Sequence, residues 1–338
     1  MVLLQTETLV SPRFFYIAIA VTSAMIFMLV VAMLLLLLLK NGSTKRQKRL
    51  QAQFKDWLVG IVLEETEEHH HKFEVPQEIK DLLKNSFARQ VLLQELKNLK
   101  QSLSGQPGEN LEKLYRQLGF RTISYNNLHS SHWHLKARGI QELAVMHQTD
   151  LIYEIIPLTN HKHPGVRMEA QIAMVFLKQY EGLQFFENLL YPLTEWHQVK
   201  LLQLLASYPI PSEETIVKWL HSSNNSVVQF ALKLIGEQHA SYFQEEVIAC
   251  LSHKDEVVRR QAIACLGEIP SAPAATALTK LFSHETSKDL QMTILAELLK
   301  TGTADEIPFL HELKQTEDID IKMAADRAIH FLKNQMVA

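Results

Sequence analysis

Seven positions set at nearly one interval constrain this chain more than anything else in it. Leu135, Val166, Gln198, Val227, Val258, Leu290 and Ile321 follow one another at steps of 31, 32, 29, 31, 32 and 31 residues. Four places after each stands Gly139, Ala170, Leu202, Ala231, Ala262, Ile294 or Ala325, mostly small. Eight places after stands Leu143, Met174, Ala206, Ile235, Leu266, Leu298 or Ile329, all apolar. Positions four and eight apart lie on one face of a helix, so every unit is expected to open with a helix carrying the same buried stripe.

The columns around that stripe are polar. Three places before the reference sit His132, His163, Glu195, Asn224, Asp255, Ser287 and Asp318, a column suited to capping the free N–H groups of a helix start. One place after it come Lys136, Arg167, Arg259, Gln291 and Lys322. Asp255 and Asp318 stand four residues before Arg259 and Lys322, so i,i+4 pairing within one helix is expected and the basic ladder reads as structural. A second helix follows in each unit, as in "LIYEIIPLT", "GLQFFENLL", "EETIVKWL", "FQEEVIACL", "AATALTKLF" and "EIPFLHELK".

A helical hairpin this short cannot bury its own apolar side, and stacking neighbours builds the continuous core it lacks. The fold class that follows is all-α, an α-solenoid over 131–338 of about seven units with the last incomplete. "DEVVRRQAIACLGEIPSAPAATALTKLF" resembles the short bacterial form of the HEAT repeat, the type seen in phycobilin-lyase-like proteins. Asp255, Val258, Arg259, Ala262, Leu266 and Gly267 carry that resemblance. It extends over roughly 130–335, with degenerate units where Trp133 and Trp196 stand near helix entrances.

The first 130 residues lack the repeat. "FFYIAIAVTSAMIFMLVVAMLLLLLL", residues 14–39, carries no charge and is about 39 Å long as a helix, enough for a bilayer core of about 30 Å. It is expected to be a single transmembrane helix after a short extracytoplasmic tail, 1–13. Lys40, Lys45, Arg46, Lys48 and Arg49 follow it, which predicts an inner-membrane protein with its N-terminus outside and its repeat domain cytoplasmic. Residues 40–130 read as a helical stalk merging into an N-terminal cap, broken at "SGQPG".

Chemistry is sparse. No Gly-rich phosphate loop, nucleophile elbow or HExxH occurs, and no catalytic or cofactor-binding residue is expected. Cys250 and Cys265 read as small buried hydrophobes. His69-His70-His71 and the group His129, His132 and His134 read as surface histidines without converging metal geometry. Residues 1–130 carry 16 Lys+Arg against 12 Asp+Glu, and residues 131–338 carry 18 against 25. An acidic repeat region argues against nucleic acid. The expected function is a membrane-anchored scaffold or adaptor holding a protein partner on its solenoid. Trp133, Tyr180, Trp196 and Trp219 are its candidate contact residues, with Tyr191 and Tyr208 beside them. The alternative is an accessory subunit or lyase-like enzyme acting on a membrane-associated substrate, as the resemblance implies.

Overall fold

The computed structural model describes the backbone of residues 12–64 and 72–335; within these, the side chains of 12–15, 17–19, 34–43 and 335 are not described. Among the described residues every regular element is helical. The chain divides into two compact units, Met1–Ile123 and Ser124–Ala338.

The first unit begins with α1 (Pro12–Leu63), which runs without a break through Lys40-Asn41-Gly42. Among the described residues no helix is long and apolar enough to cross a membrane. The assignment of 14–39 as a transmembrane helix, and with it the inner-membrane location and orientation, is corrected on this finding. Residues 1–11 of the supposed extracytoplasmic tail lie outside the described residues.

What reads as a stalk has an interior of its own. Leu50, Phe54, Leu58 and Ile61 recur on one face of α1 and are all buried, because α1 packs there on α3 (Ser86–Ser102) and α4 (Gln106–Gln117). The short α2 (Gln77–Leu82) leads into α3. The α1 end keeps unpaired carbonyls, and the fully buried Asn110 answers two of them, its amide donating to Ile61 O at 3.0 Å and Glu64 O at 2.8 Å. Gln117 receives the N–H of Phe73 at 2.9 Å and donates back to its carbonyl at 2.8 Å, fastening the incoming segment.

The second unit is the repeat. The end of α5 (Phe120–Leu128) covers its first helix, α6 (Trp133–Val145). Gly139 makes the cover possible, since a Cβ there would stand 2.6 Å from Ser124 O. The hairpins then run α6 with the segment holding α7 (Ile152–Ile155), α8 (Pro164–Lys178) with a 3-10 segment at 179–188, and α9 (Glu195–Leu205) with α10 (Glu213–Leu220). After these come α11 (Asn225–Glu237) with α12 (Gln244–Cys250), α13 (Glu256–Glu268) with α14 (Ala272–His284), α15 (Lys288–Thr301) with α16 (Ile307–Leu313), and a final first-type helix, α17 (Ile319–Gln335). First helices pack on first helices, α6 on α8, α11 on α13, α13 on α15 and α15 on α17. Second helices pack likewise, α10 on α12 and α12 on α14.

Six of the seven units keep the expected register; the unit at 195 does not. Its cap is Thr194, whose hydroxyl accepts from His197 N at 3.3 Å, so Glu195 is no cap and lies inside α9. The stripe moves one residue earlier, to His197, Leu201 and Leu205, all buried, while Ala206 is exposed. Elsewhere Asp255 accepts from Val257 N and Val258 N, Asn224 from Ser226 N, His163 from Gly165 N, and Asp318 from Asp320 N and Ile321 N. His132 and Ser287 make no side-chain cap; at the latter, Glu285 accepts the N–H groups of Thr286 and Ser287 instead.

The expected i,i+4 pairs are replaced by contacts one repeat away. Arg259 reaches Glu285 at 3.1 Å, leaving Asp255 to accept from Asn225 at 2.7 Å. Lys288 pairs with Asp318 at 2.9 Å and Asp320 at 2.7 Å, and Lys300 with Glu268 at 2.9 Å. Arg259 also donates to the carbonyl of His253, Arg167 to that of His161 and Gln291 to that of Glu285, each six residues back. In these three units the residue after the reference is therefore spent on closing the loop before the helix.

Candidate functional site

Between the 3-10 segment at 179–188 and α10 lies a cavity of about 410 Å³, lined among others by Tyr180, Glu181, Glu187, Glu214, Lys218 and Trp219. Two further grooves continue along the same row of second segments. One of about 520 Å³ lies between 156–160 and 182–188, walled by Pro157, Met174, Phe185 and Glu187. Another of about 520 Å³ lies between α10 and α12, walled by His221, Glu245, Glu246 and Cys250.

The row opens here because the local sequence shortens or tightens its second helices. Residues 179–188 form a 3-10 segment that approaches α8 so closely that a Cβ on Gly182 would collide with the carbonyl oxygen of Met174. That segment still delivers Phe186 into the interior, where it meets Phe230 at 5.1 Å and Trp219 at 5.3 Å edge to face. Such aromatic pairs add roughly 0.5–1.5 kcal/mol beyond the area they bury.

Of the four candidate contact residues, Tyr180 and Trp219 come together at the central groove and the other two lie elsewhere. Trp219 is only 5% exposed and its ring belongs to the core. Its indole touches the groove from below because α10 is amphipathic, with Ile216, Trp219 and Leu220 inward. Tyr180 is half-buried and its hydroxyl has no hydrogen-bond partner. Burial, with the Glu237 charge adding to it, pushes its phenol up to about 12, so it stays neutral. Trp133 is exposed at the α6 entrance and stacks on His163 at 4.2 Å. Trp196 is 61% exposed on the first turn of α9. Tyr191 lies under the Arg167 guanidinium at 4.0 Å, and Tyr208 is exposed.

Charge separates the two rows of helices. The second segments 149–160, 179–188, 213–220 and 244–250 carry eight carboxylates and one cation, Lys218. The first helices α6, α8, α9 and α11 carry six Lys+Arg against four Asp+Glu. Lys218 is itself held by Glu187 at 2.6 Å. In the third groove, one carboxylate oxygen of Glu246 is buried without a donor. Residue-type scanning for aromatics missed this asymmetry; a charge count made row by row along the helical register finds it.

The two cysteines of this unit are held away from nucleophilic chemistry. Burial pushes the Cys250 thiol up to about 11 and the Cys265 thiol to about 12, away from the thiolate form. His129 bonds to Glu154 at 2.9 Å, and His132 stacks beside His134. Among the described residues no cluster of His, Cys, Asp and Glu is placed to hold a metal ion. His69-His70-His71 lies outside the described residues.

No curated protein sequence matches this chain. Among solved structures, the complex of CpcE and CpcF of phycocyanin lyase from Nostoc sp. PCC7120 is similar at 13% identity over 80% of this chain and 99% of that one, with a TM-score of 0.24. A designed armadillo repeat protein in complex with the peptide (KR)4 is similar at 15% identity over 77% of this chain and 100% of that one, also at a TM-score of 0.24. Residues 213–299 match the HEAT repeats family, so the repeat read from the sequence is of HEAT type over that span.

Proposed function

We propose that this chain is a scaffold whose row of second segments, residues 149–250, receives a positively charged stretch of a partner protein. The observation that carries this reading is the coincidence of three consecutive grooves with the acidic row. Five of the row's eight carboxylates, Glu181, Glu187, Glu214, Glu245 and Glu246, line the grooves, and the row's one lysine is already paired. Stacked repeats present long surfaces on which an extended segment makes many similar contacts. A carboxylate row attracts Lys and Arg, speeds encounter, and rejects acidic partners by like-charge repulsion. Tyr180 and the edge of Trp219 supply the apolar floor, and the unpartnered oxygen of Glu246 supplies an acceptor. Trp133 and Trp196, exposed at helix entrances, remain proposed contacts for a broader interface.

The test is titration of the full chain with a fluorescent decalysine peptide and, in parallel, a decaglutamate peptide. Binding of decalysine alone, weakening as salt rises and weakening further in the triple variant Glu181→Gln/Glu214→Gln/Glu245→Gln, is the expected result. Indifference to that triple variant, or equal binding of both peptides, refutes the reading.

A further inference from the structure

The first unit holds a cavity with the opposite chemistry. Arg46, Arg49, Leu50 and Gln53 fall at i, i+3, i+4 and i+7 of α1, one face of the helix. That face meets the end of α2 and the start of α3 around a cavity of about 400 Å³. Leu50 and Ala88, both buried, make its floor. Its walls are Arg46, Arg49, Gln53, Asp81 and Asn85.

The walls are rich in donors. The Arg46 guanidinium stands over the Phe87 ring at 5.3 Å, which holds it at the mouth. Among the described residues, no carboxylate pairs with Arg46 or Arg49. The one carboxylate present, Asp81, is already engaged by Lys84 at 2.6 Å. Asn85 commits its side-chain oxygen to the N–H groups of Phe87 and Ala88, so what it turns outward is an amide donor. The N-terminus of the 17-residue helix α3 adds partial positive charge at the same wall. Two planar guanidinium forks and two amides face one cleft, a donor set that a group with several anionic oxygens can engage together.

We propose that this cleft binds a phosphate monoester, gripped by Arg46 and Arg49 and oriented by Gln53 and Asn85. The volume admits the phosphate and a small organic substituent, within the usual range of small-ligand sites. The phosphate can be carried by a soluble molecule or by a lipid headgroup; the recognition chemistry is the same.

Two probes separate those sources on the full chain. One is glycerol 3-phosphate followed by titration calorimetry; the other is sedimentation with phosphatidylcholine vesicles containing phosphatidic acid, against pure phosphatidylcholine. Saturable binding of either probe, lowered about tenfold or more in Arg49→Gln and in Arg46→Gln, is the expected result. Lys48→Gln is the control, since Lys48 carries the same charge on the same helix but does not line the cavity. Binding of the soluble probe identifies a soluble ligand, and binding of the vesicles alone identifies a headgroup. Absence of binding to both probes, or equal losses in Lys48→Gln and Arg49→Gln, overturns the proposal. All three side chains are exposed, so unchanged thermal melting confirms that the variants are folded.

Discussion

Residues 133–220 and residues 225–301 solve one packing problem in two ways. In the latter, α11, α13 and α15 stack in strict register, and α12 and α14 are ordinary α-helices behind them. In the former, the first helices keep their stripe, but two of the three second segments are mostly 3-10 turns, and the register slips by one residue at Thr194. The difference teaches that the second row can open grooves and collect charge while first helices carry most of the stack, α10 making the step onto α11. The HEAT match, 213–299, covers the regular part and stops short of the grooves' first half.

Substitutions that discriminate between the two halves can be ranked by size. Trp219→Ala should cost about 4 kcal/mol of stability, because it empties the cluster with Phe186 and Phe230. Denaturant unfolding reads the loss, and a value near zero would restore Trp219 as a surface anchor. Gly182→Ala should cost about 3 kcal/mol, since its Cβ would meet backbone that cannot retreat. In the regular half, Gly236→Ala on the first helix α11 should be neutral or gain up to about 1 kcal/mol, with its nearest neighbour at 3.6 Å and a helical backbone.

Acid should strike the irregular half first. His197 is buried, its Nε2 has no hydrogen-bond partner, and burial, with the Arg167 charge adding to it, depresses its imidazole from 6.5 to about 4. Between those values the unfolded chain binds a proton that the folded chain refuses, so stability is complete above about pH 6.5 and falls as pH drops toward 4. The loss from this one group is about 3 kcal/mol at pH 4. Unfolding of the wild type and His197→Leu between pH 7 and 4 should show a flatter profile in the variant. The smallest contrast is at the helix starts: Asp255→Ala should cost about 1 kcal/mol and Ser287→Ala close to nothing, as only Asp255 caps with its side chain. Equal losses would mean that cap geometry does not govern the regular half.

The period was legible because a buried stripe must recur wherever one helix packs on the next. Val258, Ala262 and Leu266 announce it, and all three are fully buried. The slip at α9 was not legible, since His197 and Gln198 are both polar and either fits the column; the Thr194 hydroxyl decides between them. Pairing partners were also misread, because spacing along one helix says nothing of a carboxylate one repeat away, such as Glu285 beside Arg259. Of the candidate site, the aromatic Tyr180 was found and the depth of Trp219 was not: a Trp seven places into a short amphipathic helix looks the same from either side. The basic cleft escaped because Arg46 and Arg49 read as part of a charge run following an apolar segment. Only the folding back of α2 and α3 shows that these two, and not Lys45 or Lys48, face a cavity.

The rungs joining each hairpin to the next, Asn225 to Asp255, Lys288 to Asp318 and Lys300 to Glu268, reach one neighbour and no farther. Cooperativity in such an array is short-ranged, so opening passes from one unit to the next. Among the described residues, helix α17 packs on α15 and α16 and should exchange its amide hydrogens sooner than α13, which is clasped between α11 and α15.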